Sequence, residues 1–355
     1  MRALKYLLIA IVVIIIAVIA LLRVPAIQDL IVKKGVERMI HAPNPFPTED
    51  ALTAVVCGSR GPLPAPDRAE TCILVKAGDD MYIVDSGDGS LTNLRNWRVQ
   101  LNQVRSILFT HLHSDHISNL PDFHLNTWVT QNRPTKLNVY GPEGVLKVTE
   151  GFEHAYELDY KWRNEHHGDA IAPLNVAGYS AHTIDLSDPV IIDNNGLRVT
   201  AFEVSHSPVE PALGFRFDYK GRSIVISGDT SYNENLIKYS NNADVLFHDA
   251  LSKNLIEIVR KSSFDNRPLL AKLLQDILSY HATPIEAAET ANQANVKHLI
   301  FYHLVPAPRG RIFEQIFVRG VKDIRDDWTL ARDGTMVILP VSSDEIKITS
   351  ILKKI

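Results

Sequence analysis

His111-Leu112-His113-Ser114-Asp115-His116 puts four metal-ligating side chains into six residues, directly after the apolar run Ile107-Leu108-Phe109-Thr110. The run reads as a buried strand that ends where the histidines begin. Imidazole and carboxylate together suit zinc or a similar divalent ion, and a cluster this dense has donors for two ions side by side. Three more segments share one arrangement, a predicted strand with a polar residue at its tip. They are Phe202-Glu203-Val204-Ser205-His206, Ile224-Val225-Ile226-Ser227-Gly228-Asp229-Thr230 and Leu299-Ile300-Phe301-Tyr302-His303. Each tip alone is ordinary, since a lone strand-end histidine is more often a surface or hydrogen-bonded residue. With the hexapeptide they supply five histidines and two aspartates, enough for two ions with an open position on each.

The order of these pieces resembles the metallo-β-lactamase fold superfamily, whose His-x-His-x-Asp-His signature the hexapeptide matches in full. The resemblance runs from about Ala51 to the C-terminus. It implies an α/β fold, a four-layer αβ/βα sandwich of two facing sheets with helices outside. It also implies a ligand set: His111, His113 and His206 for one zinc, Asp115, His116 and His303 for the other, Asp229 bridging the two. Asp85, ending Met81-Tyr82-Ile83-Val84-Asp85, matches the family aspartate that supports the ligand loop from behind. Asp115 counts both among the ligands and among the catalytic carboxylates.

Two further matches are similar to the tRNase Z, arylsulfatase and phosphodiesterase subgroup. His281-Ala282-Thr283 stands where those enzymes carry His-Ser-Thr, and His248-Asp249-Ala250 where they carry His-Glu-Ala. The resemblance makes His281 a proton donor to the leaving oxygen, oriented by Asp249. The bland alternative is a histidine that only packs a helix start. The loop Cys57 to Arg68 is similar to the opening loop of this subgroup and reads as mostly structural, with Arg60 or Arg68 as candidates to face an anionic substrate.

Two zinc ions about 3.5–4 Å apart bring the pKa of water toward ~7. The expected reaction is therefore attack of a metal-bridged hydroxide on a small anionic ester, of phosphodiester or arylsulfate type. Manganese or iron would be tolerated by the same ligands. The alternatives are a tRNase Z-like endoribonuclease, a lactonase or β-lactamase-type hydrolase, and a non-catalytic membrane-tethered binding module. The tRNase Z relatives carry a long tRNA-gripping arm between the equivalents of His206 and Asp229; here residues 207–228 leave room for two strands and a turn only. Lys and Arg total 37 against 41 Asp and Glu, a net charge of −4 without a basic stripe. Both observations argue against nucleic acid as a partner. The extra length lies instead in residues 117–205, which contain Trp128 and the predicted helix Val145–His167, and this stretch is expected to cover the cleft as a lid.

At the N-terminus, Arg2 and Lys5 precede an unbroken apolar run, residues 6–22, closed by Arg23. At about 1.5 Å per residue the run nearly spans a hydrocarbon core of roughly 30 Å. It reads as a single-pass inner-membrane anchor with the bulk of the chain on the periplasmic side, or as a signal segment cleaved before secretion. The expected organisation is residues 1–24 as anchor or signal, 25–50 as a short helix and Pro-rich linker, and 51–355 as the hydrolase domain. The two cysteines, Cys57 and Cys72, either pair in an oxidising compartment or sit as separate buried residues. The oligomeric state is open.

Overall fold

The computed structural model describes residues 2–41, 44–130 and 133–352. Residues 42–43 of the expected linker, Met1 and the last three residues of the expected domain lie outside the described residues. The chain divides into two compact units, Met1–Asn44 and Pro45–Ile355. The first is helical, with Arg2–Leu21 followed by Pro25–Ile40. Proline at the first position of the second helix costs no hydrogen bond there. The second unit already has a buried side chain at Phe46.

That second unit begins with β1 (Ala51–Gly58), β2 (Cys72–Ala77), β3 (Asp80–Val84), β4 (Val104–Leu108), β5 (Leu137–Gly141) and β6 (Tyr179–Thr183). A second sheet follows, built from β7 (Val190–Asn194), β8 (Leu197–His206), β9 (Val209–Tyr219), β10 (Arg222–Ile226), β11 (Val245–Leu251), β12 (His298–Val305) and β13 (Trp328–Leu330). The chain then returns to the first sheet with β14 (Thr335–Pro340) and β15 (Lys347–Ser350). The sheet orders are β15-β14-β1-β2-β3-β4-β5-β6 and β13-β12-β11-β10-β9-β8-β7.

Every residue of β1, β10 and β11 is buried. Such continuous burial is what a sheet covered on both faces produces. The covering is visible in three cores. Between the sheets, Leu52, Val75 and Tyr82 meet Val199, Phe215 and Ile224. Outside the first sheet, Leu74 and Ile83 pack under Leu94, Leu120 and Val145 from helices. Outside the second, Val225 and Phe301 pack under Leu236, Leu255 and Ala287. Each fully buried side chain of this size is worth roughly 1.5–3 kcal/mol.

The cysteines are bonded, Cys57 to Cys72, tying β1 to β2 at the mouth of the loop between them. Within that loop Arg60 donates to Glu70 and to the Arg68 carbonyl, and buried Arg68 donates to Ser59 and the Ala331 carbonyl. Arg60 is thus committed to holding the loop, as is Nη1 of Arg68, whose Nε and Nη2 are buried without a hydrogen-bond partner.

Candidate metal centre

Strands β3 and β4 run parallel, as do β10, β11 and β12, so their C-terminal ends collect at one rim. There β3 delivers Asp85, β4 delivers the hexapeptide, β8 ends on His206, β10 is followed by Asp229, and His303 lies in β12. The backbone has to bend sharply at these tips. Asp85 and His303 both adopt positive φ, 58° and 44°, a strained conformation for residues with a Cβ. Gly228, at φ 65°, lets the chain turn into Asp229; a Cβ there would meet the Leu213 carbonyl at 2.4 Å.

The carboxylate of Asp85 accepts hydrogen bonds from the Thr110 amide and hydroxyl at 2.9 and 2.8 Å, and lies 2.9 Å from His116 Nδ1. This fixes the ring so that Nε2 faces the cluster, the usual way in which a ligating histidine is oriented. His206 Nδ1 donates to the Tyr280 carbonyl at 3.0 Å, which turns its Nε2 inward likewise. His111 Nε2 and His113 Nδ1 are 3.0 Å apart.

Everything converges on Asp229. Its Oδ2 lies 3.2 Å from His303, 3.4 Å from His116, 3.9 Å from both His111 and His206, and 4.0 Å from His281. Asp115 Oδ2 is 3.2 Å from His303 Nε2 and 3.6 Å from His116 Nε2. Four overlapping sets of potential ligand atoms are present among the described residues, the atoms of each within 4.8 Å of one another: His111, His113 and His206; Asp115, His116 and His303; His111, His116 and Asp229; and Asp229, Asp249, His281 and His303. Within the cluster, His116 Nε2, His206 Nε2 and Asp229 Oδ1 are buried without a hydrogen-bond partner. An unsatisfied buried polar atom costs about 1–3 kcal/mol, so three together are hard to account for by packing. Cations at the centre would satisfy them, and the donor set fits divalent metal.

The electrostatics agree. Burial pushes His111 well below the usual imidazole range, reinforced by the neighbouring His116. Burial alone would do the same to His116 and His303, but the surrounding carboxylates outweigh it, chiefly Asp229, and hold both above that range. Burial would raise Asp229, yet His303 and His116 keep it well below the carboxylate range. Asp115 is likewise lowered to about 2, its burial outweighed by His116 and His303. Ionised Asp229 and Asp115 thus favour positive charge at the cluster.

Beside the cluster, His281 Nδ1 is 2.9 Å from Asp249 Oδ2, and Asp249 Oδ1 is 3.1 Å from His248 Nδ1. Burial opposes ionisation of Asp249, but hydrogen bonds from His248 and His281 outweigh it and lower its pKa. The shorter acid therefore reaches its histidine. Behind His281, Thr283 caps the helix Pro284–Gln293 in a reciprocal box with Glu286. Such a cap is worth about 1 kcal/mol and fixes where the chain enters the helix.

The cleft over the cluster has a volume of about 230 Å³ and is lined by Leu63, Ser114, Leu273, Ile277, Tyr280 and Val305 around the polar residues already described. Among the described residues of 117–205, none lines it. The expected lid over the cleft is displaced to another part of the chain, the helix Pro268–Asp276 and the turn after it. Sequence reasoning missed both these residues and the Tyr280 carbonyl, which no side-chain pattern reveals.

The profile of the beta-lactamase superfamily domain matches residues 73–304. A protein named Ribonuclease Z from Mycobacterium bovis (strain BCG / Pasteur 1173P2) is 34% identical over 260 residues, 72% of this chain and 87% of the relative. Among solved structures, the metallo-beta-lactamase fold protein YhfI from Bacillus subtilis superposes with a TM-score of 0.60 at 19% identity, covering 81% of this chain and 100% of the other. Human tRNase Z, short form, superposes with a TM-score of 0.59 at 21% identity, covering 81% and 99%.

Proposed function

The chain belongs to the beta-lactamase superfamily, as a hydrolase of ester bonds, and from that premise we propose that it is a metal-dependent phosphodiesterase. The observation that carries the reading is the convergence of five imidazoles within 4.0 Å of one buried oxygen of Asp229. We assign His111, His113 and His206 to one zinc, Asp115, His116 and His303 to a second, and Asp229 to both. Zinc at these positions would polarise the phosphoryl oxygen and bring the pKa of the attacking water toward ~7.

The remaining steps belong to side chains of the cleft. Asp115 and Asp229 hold negative charge where the attacking water must give up its proton. His281, with Nδ1 occupied by Asp249, keeps Nε2 for the cleft and protonates the leaving oxygen there. Asp249 fixes the tautomer and stabilises the charged ring. The apolar walls from Leu63, Leu273 and Ile277 keep bulk water from the reacting atoms.

The name of the curated relatives favours a phosphodiester over arylsulfates, lactones and β-lactams. It also favours RNA as its carrier, which makes the expectation against nucleic acid doubtful; ribonuclease Z-type cleavage is the first substrate to test. A second reading, a small phosphodiester, is supported by the size of the cleft and by residues 207–228, which hold β9 and β10 where the arm would stand.

We also assign Arg2–Leu21, a helix long and apolar enough to cross a membrane, as an anchor that places the hydrolase unit outside the cytoplasm. The Cys57–Cys72 disulfide is in keeping with an oxidising compartment. N-terminal sequencing of the mature protein separates an anchor from a cleaved signal.

The experiment is metal content and turnover of the full chain and of Asp229→Ala, on bis(p-nitrophenyl) phosphate and on a precursor tRNA. Two metals per chain and turnover of either substrate, both lost in Asp229→Ala, are expected. A fully active Asp229→Ala protein would end the two-metal reading.

A further inference from the structure

The helix that borders the cleft and two helices near it leave large apolar side chains in solvent. Lys253–Ser263 buries Leu255 and Ile256 against the second sheet, yet exposes Ile258 and Val259. Pro268–Asp276 buries Ala271 and Leu274, while Leu269 and Leu273, one turn apart on the opposite face, stand in solvent, Leu269 at 86% exposure. Phe264, between the two helices, is 63% exposed. The adjoining helix Arg311–Phe317 adds Ile312 and Phe313. Isolated exposed leucines need no explanation, but large apolar side chains gathered on neighbouring helices mark an interaction surface.

The charge around this surface indicates its partner. Residues 253–276 carry five Lys or Arg against three Asp or Glu, and residues 309–314 two against one, in a chain whose net charge is −4. Lys261 and Lys272 stand at 74% and 71% exposure, each paired one turn away on its own helix, with Glu257 and Asp276. Apolar side chains rimmed by cations on amphipathic helices are the composition that settles into the headgroup layer of an anionic bilayer. The same chain carries, at its N-terminus, a helix with the length and composition of a membrane span.

We propose that the exposed face of Lys253–Ser263, Pro268–Asp276 and Arg311–Phe317 docks on an anionic membrane surface. Leu273 belongs both to this face and to the lining of the cleft. Docking therefore sets the mouth of the cleft at the headgroup layer, and substrate reaches it along the membrane surface. This inference rests on the anchor reading only for the proximity of a membrane.

The test is hydrogen–deuterium exchange on the full chain reconstituted into phosphatidylcholine vesicles with and without phosphatidylglycerol. Amides of residues 253–276 and 311–317 should exchange several-fold more slowly with the anionic lipid, and the protection should weaken at high salt. Leu269→Glu and Arg267→Glu, both on exposed side chains outside the cleft, should lose most of the protection, and their turnover of a soluble phosphodiester in detergent should stay unchanged. Equal exchange in both lipids, or protection that survives both substitutions, would overturn the proposal. So would protection that rises with protein concentration in lipid-free detergent, which would give the face to a second copy of the chain. Resistance of the vesicle-bound chain to alkaline carbonate reads the anchor separately: a chain released by carbonate but still protected by anionic lipid loses the anchor reading and keeps the docking face.

Discussion

Residues 124–177, helical on either side of strand β5, and the helical residues 253–281 are both rich in large side chains, yet only the second lines the cleft. In the first, Trp128, Tyr160, Ala172, Val176 and Ala177 pack on one another. His124 stacks on Trp128, centroids 5.6 Å apart, and the Trp128 ring is closed off by its hydrogen bond to the Pro173 carbonyl at 2.9 Å. In the second, Ile256, Leu274 and Ile277 form a core with Leu251 of β11 and Val305 of β12. Its last residues then give the metal centre a carbonyl for His206 and the imidazole of His281. A high density of aromatics marked a segment that satisfies itself. What marked the serving segment was the polar pair at its end.

The strongest way to sharpen this contrast is His281→Ala. Loss of a positioned general acid should lower kcat by about 10²–10⁴-fold at nearly unchanged metal content and stability. A small loss would return His281 to the role of helix packing. The matching substitution in the other segment is Trp128→Ala. Removing so large a buried side chain should cost about 3–5 kcal/mol of stability, seen in denaturant midpoints. The folded fraction should keep the wild-type kcat. A kcat loss larger than the loss of folded protein would put residues 124–177 back over the cleft.

Asp249→Asn should produce an intermediate effect. The amide still fills the space beside His281 but cannot stabilise a charged ring, and loss of such a supporting group usually costs about 10–100-fold. The drop should appear in kcat and be smallest for leaving groups that need no proton. A uniform drop across leaving groups would mean that Asp249 acts on the fold and not on the relay.

The same contrast explains what was legible in the sequence. The convergence of the seven side chains was legible because each stands at or just past a strand end, and chance seldom assembles seven such residues. The helix Val145–His167 was legible in full, and so was the cap at Thr283, because proline follows it and the helix has few alternatives there. Strands β5 and β6 escaped because polar Asn138, Ser180 and His182 break the apolar pattern toward the edge of the sheet. The returning strand β14 escaped because its pairing with β1 is a contact across nearly the whole chain, and β15 escaped with it because it pairs only onto β14. The lid was misplaced because composition shows that a segment has apolar side chains to bury, not against what. Backbone features left no trace either: neither the positive φ of His303 nor the Tyr280 carbonyl is written in residue identity.

The most subtle prediction concerns His124. It is buried, its Nε2 accepts a hydrogen bond from the Gly178 amide at 2.6 Å, and burial, aided by Arg133 and Lys136, lowers its pKa to about 3. The folded protein thus keeps this ring neutral, while the unfolded chain protonates it near the ordinary value of about 6.5. Below pH 6.5 the unfolded state binds the extra proton, so stability from this residue is complete above about 6.5 and drains away as pH falls toward 3. The slope is about 1.4 kcal/mol per pH unit at most. His124→Leu removes this linkage along with the Gly178 hydrogen bond, so it should be less stable at neutral pH and show a flatter decline between pH 6.5 and 4. Metal-stripped protein should be used for both, so that release of ions from the centre does not add its own pH dependence. An unchanged slope would mean that the ring opens to water before the domain unfolds, and that the aromatic cluster of residues 124–177 is looser than its packing implies.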